Sequence, residues 1–149
     1  MRIRFTKVND ERHVLAIERA DGTRESVELE TRSYLLHDLV HYAVEAEVPI
    51  EDGFWGLLAR GTTLNELSDR TMANPISPGI ALAERLVGPM QSVWNGRLDR
   101  ALYMENVGSV VDEGFIERVL LRLRALTGHF KGTRFRDAME IEWPPPRPR

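Results

Sequence analysis

Apolar and charged residues alternate through the first third of the chain. In "RIRFTKV", Ile3 and Phe5 sit between charged neighbours, the period of a strand with one buried face. The next stretch, "HVLAIERADGTRESVELE", reads as a hairpin. A two-residue Asp21-Gly22 turn would set Leu15 and Ile17 opposite Glu28 and Ser26. A three-residue loop, Ala20-Asp21-Gly22, with Gly22 at the positive-φ position, sets Glu18 opposite Arg24. It also gathers His13, Leu15, Ile17, Val27 and Leu29 on one face. One buried face decides a register, so the longer loop is expected and His13 turns toward the core as a packed histidine.

Beyond this hairpin the period changes from two to 3.6. A helix is expected over 33–47, stopped by Pro49. "DGFWGLLARG" predicts a short helix with Phe54, Leu57 and Leu58 on its apolar side, ending at Gly61. "TTLNELSDR" carries a threonine and Glu66 at capping-box spacing and predicts another short helical piece. "MANPISPG" reads as a loop. Ser77 then caps a helix with Pro78 at its first position. Gly88-Pro89 should kink or break that helix, because proline removes a hydrogen bond and crowds the preceding turn. A continuation through Trp94 to Met104 would be interrupted at Asn95-Gly96.

The strongest helical pattern is "SVVDEGFIERVLLRLRALTG". Ser109 and Asp112 have capping-box spacing, Phe115 to Leu126 supply a broad apolar stripe, and Gly128 suits the C-terminal cap. "DAMEIEW" returns to period two, with Met139, Ile141 and Trp143 on one face, and predicts a late strand joining the N-terminal sheet. The expected fold class is α+β: a small antiparallel sheet of N-terminal hairpin strands plus a late C-terminal strand, packed against several helices. Residues 1–143 form a single domain in this reading, and 144–149 a flexible Pro/Arg tail.

Composition narrows the function classes. With 149 residues, 42% hydrophobic and 29% charged, the chain belongs with globular domains large enough for a core, not with disordered ones. A net charge of −3 gives no electrostatic reason to expect nucleic acid or an anionic membrane as partner. Without cysteine, disulfides, thiolate catalysis and Cys-type zinc sites are excluded. "MRIRFTKVNDERH" lacks the apolar core of a signal peptide, and no apolar run approaches the roughly 20 residues of a membrane span. A cytoplasmic location is expected by default.

The candidate chemistry lies in "LLHDLVHYAVEAE", residues 35–47. On a helical wheel His37, His41, Tyr34, Glu45, Asp38 and Tyr42 share an arc of about 140°, and aliphatic residues fill the rest. Spacing of i, i+4 lets one helix present two imidazoles to a single ion, so His37 and His41 are the candidate metal ligands, for Zn or another divalent metal. Asp38 and Glu45 are the candidate general bases. Glu45 lies about 12 Å from His37 along the axis, too far to join a shared ion, and could pair with His41 or with a basic group from elsewhere. A third ligand must come from another segment, with Glu51, Asp52, Asp69, Glu84 and His129 as candidates. His129 also suits a helix C-terminal cap.

The phrase His37-Asp38-x-x-His41 resembles the zinc-protease pattern H-E-x-x-H with one methylene removed from the acid, which draws the carboxylate back from a metal-bound water. It also resembles the HDxxH zinc motif of the ubiquinone-biosynthesis scaffold family. That pattern continues to a glutamate where this chain has Gly53, so the family's function is not expected here. "HDLVHYAVE" followed by "FWGLLARG", within residues 37–61, is similar to a group of short bacterial proteins. That resemblance implies a bacterial source and no particular activity.

Two readings follow. In the first, the chain is a non-catalytic binding or interaction domain whose polar groove is lined by His37, Asp38, His41 and Glu45, meeting a small ligand, a protein partner or its own copy in a homodimer. In the second, it is a divalent-metal-dependent hydrolase or lyase, with His37 and His41 holding the ion and Asp38 or Glu45 activating bound water.

Overall fold

The hairpin register follows from burying one face. In a computed structural model, which describes residues 1–68 and 77–147, β2 (Arg12–Glu18) pairs with β3 (Arg24–Glu30) so that Glu18 faces Arg24, Leu15 faces Val27 and His13 faces Leu29. Arg19 N–H donates to Thr23 O at 2.9 Å, closing a three-residue loop in which Gly22 has φ +86°. β1 (Arg2–Lys7) runs antiparallel to β2, and β4 (Ala138–Glu142) runs antiparallel to β1, with Ile3 opposite Ile141 and Phe5 opposite Met139. The sheet order is β3-β2-β1-β4. Ile3, Phe5, Leu15, Ile17 and Met139 are buried on its inner face. The outer face carries cross-strand ion pairs such as Arg4–Glu140 and Arg24–Glu18, which are exposed and worth little individually.

All described helices follow β3. α1 (Thr31–Glu47) begins two residues before the expected Ser33 and gives way to extended backbone at Val48, ahead of Pro49. α2 (Phe54–Ala59) and α3 (Leu64–Ser68) are short. Thr63 and Glu66 form the expected capping box: Glu66 N–H donates to Thr63 Oγ1 at 3.1 Å, and Thr63 N–H to Glu66 Oε2 at 2.8 Å. α4 (Pro78–Trp94) starts as its sequence predicts, with Ser77 Oγ accepting from Ile80 N–H at 3.1 Å. Of the "MANPISPG" stretch, residues 72–76 lie outside the described residues. Asn95-Gly96 ends α4, and α5 (Arg100–Val107) is a separate helix capped by Asp99.

Expectations about two helices are corrected. α4 is not broken at Gly88-Pro89 but runs through Pro89. Ala83, Leu86 and Val87 before the proline and Met90 and Val93 after it are all buried. Each large apolar side chain contributes about 1.5–3 kcal/mol, together outweighing the roughly 3 kcal/mol that an interior proline costs. α6 (Phe115–Gly132) begins at Phe115, not at a Ser109 cap, and passes through Gly128 to Gly132. The turn at 109–113 has mostly exposed side chains and offers no face to bury, whereas Phe115 and Ile116 open the buried stripe and Phe130 extends it past Gly128.

α1 lies at the centre. It packs against α4, α6, α2 and the sheet strand that precedes it. Trp55 and Trp143 flank Tyr42 of α1 at ring distances of 6.3 and 5.6 Å, and Tyr42 Oη donates to Glu142 O at 2.7 Å. No helix among the described residues is long and apolar enough to cross a membrane.

Candidate metal centre

A helix covered on several sides has no solvated face left for its polar arc. In α1 every residue from Asp38 to Glu45 is buried, aliphatic and polar alike. Asp38, His41 and Glu45 are at most 6% exposed, so they do not line an open polar groove as expected from the wheel. Of the arc's residues, only Tyr34, which is exposed, and His37, which is half-buried, reach the surface, toward the start of the helix.

The buried polar groups are instead bonded to neighbouring elements. His41 Nδ1 is 2.8 Å from Glu45 Oε2 one turn along, which selects His41 over a basic group as the partner of Glu45. Its Nε2 is 3.0 Å from Glu84 Oε1 on α4. Glu45 is wholly buried, and its second oxygen accepts from Trp55 N–H in α2 at 3.1 Å. His37 Nδ1 lies 3.3 Å from Gln91 Oε1, also on α4. The His37 and His41 rings meet edge to face with centroids 4.7 Å apart, and Phe54 closes over His41 at 5.5 Å.

His37, His41 and Glu84 each bring one donor atom to a common point, with all three atoms within 4.8 Å of one another. Of the candidates for a third ligand, Glu84 is the one that the fold brings to the two histidines. Of the other candidates, Glu51 is exposed and pairs with Arg60, while Asp52 Oδ2 accepts from Gly79 N–H at the start of α4. His129 sits exposed in the last turn of α6, inside the helix rather than after its end. Asp69 lies outside the described residues. Asp38 and Glu45, the candidate bases, are not part of the three-atom cluster.

Burial opposes charging His41, but the hydrogen bonds and negative charges of Glu45 and Glu84 outweigh it and raise its pKa to about 9. In the metal-free protein an imidazolium thus bridges two carboxylates at neutral pH. A divalent cation beside Nε2 would replace that proton with a larger positive charge and leave the Glu45 hydrogen bond at Nδ1 in place. His13 has the opposite fate. Burial between Phe5 and Phe130 and the nearby Arg12 charge lower its pKa to about 4, and it bonds through Nδ1 to Thr31 Oγ1, as a packed core histidine does.

Sequence reasoning does not find Gln91, the Trp55 amide or Gly53. Glu84 and Gln91 recur at i, i+7 on one side of α4, but only the α1–α4 packing shows that this side meets the histidines. Gly53 carries the sharper signal: a Cβ there would fall 2.3 Å from Glu45 Oε1, so the buried carboxylate requires a glycine at that position. Compared with family models, curated proteins and solved structures, the chain matches none.

Proposed function

We propose that this chain is a non-catalytic divalent-cation-binding domain, with His37, His41 and Glu84 as ligands at the seam between α1 and α4. The carrying observation is the convergence of their three donor atoms within 4.8 Å. Two imidazoles and one carboxylate suit Zn²⁺, whose ligands stand about 2 Å from the ion. Glu84 stands at the rim of the cluster, with its side chain 51% exposed. Exposure of the rim supports access from solvent: among the described residues outside its own helix, a methyl group on Gly88, one turn from Glu84 on α4, would meet nothing within 4 Å.

The hydrolase reading needs a carboxylate facing bound water. Glu45 is committed to His41 and the Trp55 amide, Asp38 is buried outside the cluster, and Glu84 serves as a ligand. The binding role is therefore the better supported of the two.

Elemental analysis tests it, on protein purified without chelator or histidine tag, beside a His37→Ala/His41→Ala double variant. About one equivalent of zinc or a related ion in the wild type, lost in the variant, is expected for a three-ligand site. A wild type that neither retains an ion nor takes up added Zn²⁺ would overturn the reading.

A further inference from the structure

We infer that Glu45 is the positioning carboxylate of this site: held in place by the Trp55 amide and by the space left at Gly53, it keeps the proton of His41 on Nδ1 and so presents the Nε2 lone pair to the cation. The inference rests on the cation reading above and adds a residue that touches no ion.

Three observations carry it. Glu45 is fully buried yet has both oxygens engaged, one on His41 Nδ1 at 2.8 Å and one on Trp55 N–H at 3.1 Å. Both contacts call for an acceptor: a backbone N–H can only donate, and a carboxylate can only receive the Nδ1 proton. The α1–α2 connection is also shaped to this side chain, because a Cβ at Gly53 would collide with Glu45 Oε1 at 2.3 Å. A histidine that binds metal through one nitrogen generally donates its other N–H to such a partner, which fixes the tautomer and the ring orientation. In the metal-free protein Glu84 Oε1 accepts the Nε2 proton at 3.0 Å, so a cation that displaces this proton meets Nε2 and the Glu84 carboxylate together.

Glu45→Gln tests this with little change of volume. The Trp55 amide claims the glutamine oxygen, so the side-chain NH2 faces His41 Nδ1 and drives the ring proton to Nε2, where the cation must sit. Zn²⁺ affinity, measured by competition with a chromophoric chelator, is expected to fall about 10- to 100-fold. In parallel, ring-nitrogen NMR of the zinc-loaded wild type is expected to show His41 protonated at Nδ1 and metal-bound at Nε2, a readout independent of whether the variant folds. Unchanged affinity in a folded Glu45→Gln protein, or zinc on Nδ1 in the wild type, would overturn the positioning role and leave the cation site standing. No zinc uptake by the wild type would overturn the cation reading itself.

Discussion

Glu84 reaches across the seam between α4 and α1 to within 3.0 Å of His41 Nε2, although 43 residues separate the two in sequence. His41 is buried, while the Glu84 side chain is half exposed, so the contact joins an interior group to a rim group. Removing the rim partner should therefore separate binding from folding. Glu84→Ala is expected to weaken Zn²⁺ binding by at least tenfold and to lower metal-free stability by only about 1 kcal/mol, as for other partly exposed pairs. Calorimetric titration with Zn²⁺ beside urea unfolding in chelator measures both. Equal zinc affinity in the two proteins would remove Glu84 from the ligand set.

The same bridge gives the metal-free protein a pH dependence. His41 is opposed by burial but raised overall, by Glu45 and Glu84, to about 9, against 6.5 for an unperturbed histidine. The folded state therefore holds its proton more tightly than the unfolded one. The resulting stability is fully present below pH 6.5 and is lost as pH rises through 9, amounting to about 3 kcal/mol at most. Urea unfolding in chelator between pH 6.5 and 9.5 should show this decline in the wild type and a flatter profile in His41→Gln. Parallel profiles would mean that the bridge carries no proton-linked stability.

The strands were legible because period and turn chemistry agree: Leu15 and Ile17 had to share a face with Val27, and only a loop with Gly22 at positive φ allows it. The histidine pair was legible for the same local reason, since His37 and His41 lie one turn apart. What lay outside local pattern was harder to read. Ser109 and Asp112 mimic a helix cap, yet the helix starts where burial starts, at Phe115. The polar arc of α1 reads as the lining of a groove because nothing in its own sequence announces that α4 and α2 will cover it. Selecting Glu84 from several carboxylates required the same long-range packing.

Pro89 offers a direct check on that competition between local preference and packing. It sits inside α4, where a proline lacks the N–H that an interior position would donate. Pro89→Ala restores the donor and improves helix propensity, so it is expected to stabilise the protein by roughly 1–3 kcal/mol. Thermal and urea unfolding both measure this. A loss of stability would mean that the proline ring itself packs to advantage against its surroundings.

His13 should behave oppositely to His41 in acid. Burial, with the Arg12 charge adding to it, lowers its pKa to about 4, so between pH 6.5 and 4 the unfolded chain binds a proton that the folded chain refuses. Stability falls as pH drops across that window, by about 3 kcal/mol in full, and the loss is complete below pH 4. Carboxylates titrate in the same range, so the informative quantity is the difference between wild type and His13→Phe. Phenylalanine keeps a ring beside Phe5 and Phe130 but leaves the Thr31 hydroxyl without its 3.0 Å partner, which is expected to cost about 1 kcal/mol at pH 7. That deficit should shrink and then reverse as the pH is lowered toward 4. A deficit that stays constant across the range would show that His13 is not held neutral by the core.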